Sequence, residues 1–134
     1  LMSLNYTILI GRLVRDPEHR LTSTGVPITR FTIAVDKIKR PGEEKQADFI
    51  RVTAWRRLAE ICNQFLKKGK LVAVEGRLQV DHYESNGEQR ESVEVIADNM
   101  QMLDRGENFP ENANPGLDAG SAAPEAVSQS QFSV

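Results

Sequence analysis

The sequence predicts an all-β domain with a single α-helix, and three observations carry that prediction. Five segments alternate apolar and polar residues at the spacing of strands. One stretch, between the third and fourth of them, has helical spacing instead. Turn chemistry separates the segments, most clearly at Asn86-Gly87, the dipeptide that best signals a two-residue hairpin.

Residues 5–14 (NYTILIGRLV) form the first β-rich run. The segment after it, RDPEHRLTSTGVP, reads as turns at Asp16-Pro17 and Thr24-Gly25. Residues 27–36 (PITRFTIAVD) set Phe31, Ile33 and Val35 against Arg30, Thr32 and Ala34. A charged loop, IKRPGEEKQA, should then project into solvent. In the third strand, residues 47–55, Ile50, Val52 and Ala54 share the core face, and Phe49, Arg51, Thr53 and Trp55 share the other. The helix, about residues 56–68, stacks Leu58, Ala59, Ile61, Cys62, Phe65 and Leu66 in one stripe. Lys67 and Lys68 suit its C-terminus, and Gly69 supplies a left-handed cap. Residues 70–81 place Val72, Val74, Leu78 and Val80 on a common face, and residues 91–103 make the last strand, with HYESNGEQR as the hairpin between. Three strands, a helix and two strands in a chain this short give the order of an OB-fold, a five-stranded Greek-key barrel that binds oligonucleotides or oligosaccharides.

Charge divides the chain near Arg105. All 17 Lys and Arg lie in residues 1–105 with 15 Asp and Glu, while residues 106–134 hold four acids (Glu107, Glu111, Asp118, Glu125) and no base. The net −2 of the whole chain therefore hides a slightly basic domain, residues 1–105, before an acidic tail. The tail, rich in Gly, Pro, Ala, Ser, Asn and Gln, buries too little apolar surface to offset ordering and is expected to be disordered. No apolar run reaches the ~18 residues of a membrane span, and a single Cys62 builds no internal disulfide. The protein is expected to be cytoplasmic and nucleoid-associated.

The strings NYTILIGRL with DPE, FTIAVD, the strand–helix segment ending FLKKG, VAVEGRL and NMQML, in this order and spacing, are similar to the bacterial single-stranded DNA-binding protein family. The resemblance implies a homotetramer, with residues 5–14 pairing subunits along an exposed strand edge. It also implies a non-enzymatic protein that coats unpaired DNA during replication, recombination and repair. The chain departs from the family at Ile38 and Lys39, where many relatives place a stacking tryptophan, and at Gln79 and Asp81, which are often basic. Relatives usually end in an acidic tip with a Pro-Phe pair that docks on replication and repair enzymes. Here the end reads SQSQFSV, with Phe132 but no clustered carboxylates.

Phe49, Trp55 and Tyr83 are the expected base-stacking residues, since aromatic rings stack on every base with little sequence preference. They match positions where the family carries such aromatics. Arg51, Arg56, Arg57, Lys68, Lys70, Lys39 and Arg40 are the expected phosphate partners; such contacts position the strand without reading sequence. No cofactor or metal is expected: His19 and His82 lack ligand spacing, no phosphate-cradling GxxxxGK[ST] loop occurs, and Cys62 lies on the helix's apolar stripe. Two other readings fit the same fold. One is a primosomal replication accessory protein, against which Trp55 and the long tail argue. The other is an OB-fold adaptor without useful DNA affinity.

Overall fold

The computed structural model describes residues 2–104; the expected tail, residues 106–134, lies outside them. Seven elements follow in order: β1 (Thr7–Leu13), β2 (Glu18–Leu21), β3 (Pro27–Asp36), β4 (Ala47–Trp55), α1 (Arg56–Phe65), β5 (Leu71–Ser85) and β6 (Glu88–Met102). The sheet runs β1-β5-β6-β4-β3-β2, and a second pairing of β1 with β3 closes it into a barrel with β2 outside. Every pairing is antiparallel except β4 with β6, where Val52 faces Val95 and Thr53 faces Ile96 in parallel. This is the OB-fold that the order of elements predicts.

Alternation fills the barrel. Leu13, Phe31, Ile33, Val52, Ala54, Val72, Val74 and Val95 are buried, and Ala59, Cys62 and Leu66 of the helix segment plug one end. Each large aliphatic or aromatic side chain among them contributes about 1.5–3 kcal/mol by leaving water. Burial also pushes the Cys62 thiol up to about 12, so it stays protonated near neutral pH and packs as a small apolar group.

Five expectations need correction. The segment read as turns contains β2, making six strands rather than five. Its four residues are all exposed and have no apolar alternation, so tertiary bonds order it. It pairs with β3 from Glu18 opposite Arg30 to Leu21 opposite Pro27. The buried Thr29 hydroxyl donates to the Ala59 carbonyl at 2.7 Å and lies 2.8 Å from His19 Nδ1. Because the hydroxyl's one proton goes to Ala59, His19 Nδ1 is the donor and ties β2 to the barrel.

The helix ends at Phe65, not 68. Leu66 turns extended to enter the core, and the chain beyond it is held by tertiary bonds: Lys68 N–H to Asp16 Oδ1 at 2.9 Å and Gly69 N–H to the Leu13 carbonyl at 2.9 Å. Gly69, at φ +90°, serves a Lys67–Lys70 turn instead of capping the helix. Phe65, assigned to the buried stripe, stays half-exposed at that end.

The last two strands are longer than expected and form one arm joined only by Asn86 and Gly87, both left-handed as a two-residue hairpin turn requires. The pairing shifts where Glu75 faces Asn99 and Gly76 faces Ala97, leaving Asp98 as an extra residue on β6. Such a bulge bends the strands. Past the level of Val95, where β6 still pairs with β4, the arm leaves the barrel; Leu78 and Val80 share the face of Val72 and Val74 but remain half-exposed.

Backbone approaches so closely at this bend that a Cβ on Gly76 would collide with the Ile96 carbonyl. Gly76→Ala is therefore expected to lower unfolding free energy by about 1–3 kcal/mol, read as an earlier urea midpoint. An unchanged midpoint would contradict this packing of the arm.

Candidate nucleic-acid interface

The outward face of β4 is exposed in the pattern that its alternation demands. Phe49 is 69% and Trp55 39% exposed, with Arg51 exposed between them, while Val52 and Ala54 behind them are fully buried. Six strand steps separate the two aromatics by about 20 Å, too far for one base to span both. Thr53, expected on this face, is there but nearly buried, because its hydroxyl donates to Glu94 Oε1 of β6 at 2.5 Å.

A cleft of about 480 Å³ opens on this face, lined by Arg15, Glu18, Arg30, Arg51, Asp81 and Glu94 among others. Register explains how residues so distant in sequence meet. Thr32 of β3 faces Arg51, Arg30 faces Thr53, and on the arm Asp81 faces Ser92 and Gln79 faces Glu94. Tyr83, 48% exposed, continues the same face of the arm two residues beyond Asp81, within a strand and not in a loop.

Ion pairing sorts the cations. Arg12, Arg20, Lys37, Lys45, Arg77 and Arg90 are each engaged by a carboxylate within 4.0 Å. So is Arg57, an expected phosphate partner, which reaches Glu60 at 3.9 Å on its own helix. The side chains of Arg15, Arg30 and Arg51, all in the cleft, have no ion pair or hydrogen bond among the described residues. Sequence reasoning assigned a role to Arg51 but missed Arg15 and Arg30. Arg30 was legible as an outward position of its strand; Arg15 sits in a turn that gives no facing signal.

The other expected cations lie around the cleft. The turn carrying Lys68 is held at Asp16, a cleft-lining residue, by the bond to Lys68 N–H. Lys70 is partly buried beside it, its carbonyl accepting from Leu13 N–H. Lys39 and Arg40 stand past the Phe49 end of β4, in the 37–46 loop. That loop is closed by Lys37 N–H to the Gln46 carbonyl, and Lys37–Asp48 and Lys45–Asp36 ion pairs brace its stems. Within it, Lys39 Nζ donates to the Glu43 carbonyl at 3.2 Å, and Arg40 N–H donates to Glu43 Oε1 at 3.0 Å.

The cleft is not a one-signed funnel. Its three guanidiniums face four carboxylates, Asp16, Glu18, Asp81 and Glu94. Attraction for phosphate is tempered at close range, and aromatic stacking must supply more of any binding energy. Among the described residues no group of three or more His, Cys, Asp or Glu stands ready to hold a metal. No helix among them is long and apolar enough to cross a membrane.

Arg56 adds a strained element. It follows Trp55 directly, opens the helix, and has a left-handed backbone at φ +58°, a conformation that disfavours side chains with a Cβ. Its guanidinium is exposed and unpaired among the described residues. Arg56→Gly is expected to raise unfolding free energy by about 1 kcal/mol, seen as a higher urea midpoint, because glycine adopts this backbone freely. A lower midpoint would mean that the arginine side chain contributes more to the fold than its backbone costs.

Comparison with known proteins places this geometry. Residues 4–103 match the model of the single-strand binding protein family. A single-stranded DNA-binding protein of Thermotoga maritima is 48% identical over 105 residues, covering 75% of this chain and 74% of that protein. Single-stranded DNA-binding protein 1 of Staphylococcus aureus is 46% identical over 113 residues, covering 83% of this chain and 69% of that protein. Among solved structures, a Plasmodium falciparum SSB in complex with ssDNA shares the fold with a TM-score of 0.72 at 23% identity, covering 78% of this chain and 98% of that one. The barrel, its order of strands and the match across nearly all described residues show that this chain belongs to the single-strand binding protein family.

Proposed function

We propose that this chain is a non-enzymatic protein that binds single-stranded DNA without sequence preference and coats it during replication, recombination and repair. The observation that carries this reading is the outward face of β4, where Phe49 and Trp55 stand exposed on either side of an unpaired Arg51. Large apolar rings held in water by a rigid strand gain by stacking on bases, and Arg51, Arg30 and Arg15 donate to the phosphates between them. Tyr83 extends the track along the arm, with Arg56 at the Trp55 end, Lys39 and Arg40 at the Phe49 end, and Lys68 and Lys70 at the cleft's edge. Binding alone does the work: each base held on a ring favours the unpaired strand over the duplex by mass action.

The same reading takes the working unit to be a homotetramer. β1 pairs with β5 from Thr7 to Arg12 but with β3 only at Arg12 and Leu13, so among the described residues its other edge from Thr7 to Gly11 is unpaired. Ile8 and Ile10 stand exposed on this strand and Tyr6 just before it, an apolar face suited to a second copy. Residues 1–105 are the binding domain in this reading. Residues 106–134 are a tail in which replication and repair enzymes would have to recognise something other than clustered carboxylates, and the site of action is the cytoplasmic nucleoid.

Trp55 is the chain's one tryptophan, so its fluorescence reports this face alone. Oligo-dT is expected to quench it, and Phe49→Ala should weaken binding by about 1–3 kcal/mol while leaving the unfolding midpoint unchanged. Absence of quenching together with absence of a mobility shift would sink the coating function and favour the adaptor reading. Equal binding of oligo-U would extend the function to RNA.

A further inference from the structure

The arm that carries Tyr83 stands out from the barrel on two strands alone. Beyond Gly76, β5 has no backbone pairing with β1, and beyond Val95, β6 has none with β4. A two-stranded ribbon has little stability of its own, so the arm's direction is set at its root. There, one side-chain clip grips each strand. On β5, Asn5 Nδ2 donates to the Leu78 carbonyl at 2.8 Å, and Leu78 N–H donates to Asn5 Oδ1 at 2.9 Å. The carboxamide takes the place of a strand residue: Thr7 of β1 faces Gly76, and Asn5 carries that ladder two residues further after backbone pairing has stopped. On β6, the nearly buried Thr53 hydroxyl donates to Glu94 Oε1 at 2.5 Å, one residue beyond the Val52–Val95 pair. Glu94 faces Gln79 across the arm, and Gln79 Nε2 donates to Asp81 Oδ2 at 3.2 Å. Tyr83 follows on that same face.

The angle at the root matters because the arm is a lever. Tyr83 lies five residues beyond Leu78, about 16 Å along the strand. A tilt of about 10° at the root moves its ring by about 3 Å, close to the ~3.4 Å rise between neighbouring bases. Such a displacement takes the ring off its base, whereas Phe49 and Trp55 belong to β4 and do not move with the arm. On the coating function proposed above, we infer that Thr53 and Asn5 are positioning residues: they act on the DNA through the arm, holding it at the angle that sets Tyr83 against a base. Neither reads the base, so the contact keeps the tolerance of stacking for any sequence.

The test is a double-mutant cycle on the full chain, with affinity for a labelled oligo-dT read by fluorescence anisotropy. Tyr83→Ala should weaken binding about tenfold, as the loss of one stacking contact does. Thr53→Val keeps the volume of the buried side chain and removes its hydroxyl. It should weaken binding by about three- to tenfold in the unmodified chain and no further once Tyr83 is alanine. Asn5→Asp, which loses the donor to Leu78 and sets a carboxylate against its carbonyl, should behave in the same way. Thr53→Ser retains the donor and should restore binding. A residue that matters only for stability would act regardless of Tyr83. Equal losses with and without Tyr83, or no loss at all, would overturn the assignment of the residue concerned. If Tyr83→Ala costs nothing, DNA does not run along the arm, and both assignments fall while the coating function stands. If the unmodified chain fails to bind oligo-dT, the coating function itself is wrong and the assignments go with it.

Discussion

The parallel contact of β4 with β6 is the constraint on which the rest of the structure depends. It seals one side of the barrel through two residue pairs, Val52–Val95 and Thr53–Ile96, and so fixes which way every side chain of β4 points. Strands alternate strictly, and a slip of one residue would send Val52 and Ala54 into water and Phe49, Arg51 and Trp55 into the core. The burial of two small apolar side chains thus sets the display of the aromatic and cationic ones. In the proposed function one strand is both the wall of the core and the binding surface, so its display is fixed by core packing.

That fixed display makes the charge pattern around it meaningful. Seven cations of the described domain are absorbed in ion pairs, which at exposed positions contribute little to stability but do remove those cations from competition for phosphate. The arginines left over concentrate in the cleft, and carboxylates share it with them. In the proposed function, binding there depends on matched geometry rather than on bulk charge. Arg56 belongs to the same pattern: a backbone that glycine would adopt more readily carries a guanidinium beside Trp55. Its strain is stored where the ligand is expected.

Much of this was legible in the sequence because alternation is a local property. Residues 47–55 announced both faces of β4, and Asn86-Gly87 announced the hairpin. What was not legible depends on partners remote in the chain. β2 is ordered by its ladder with β3 and by His19 on Thr29, and the helix is cut short because Leu13 and Asp16 bind the backbone after it. Leu78 and Val80 kept a core-like spacing beyond a bulge that carries them out of the core. Arg15 and Glu94 gained their place only when the barrel closed. The expected stacking residues followed from side-chain type on a predicted strand, whereas the cleft that gathers Arg51 with Arg30 and Arg15 follows from register.

Ultraviolet crosslinking of the full chain to oligo-dT, with the crosslinked peptides mapped by mass spectrometry, tests the central claim most directly. The chain exposes five large aromatics among its described residues, Tyr6, Phe49, Trp55, Phe65 and Tyr83, so two of them serve as internal controls. If DNA runs over the outer face of β4 and along the arm, crosslinks fall on Phe49, Trp55 and Tyr83 and spare Tyr6 and Phe65. Crosslinks concentrated at Tyr6 or Phe65, with β4 untouched, would contradict the account.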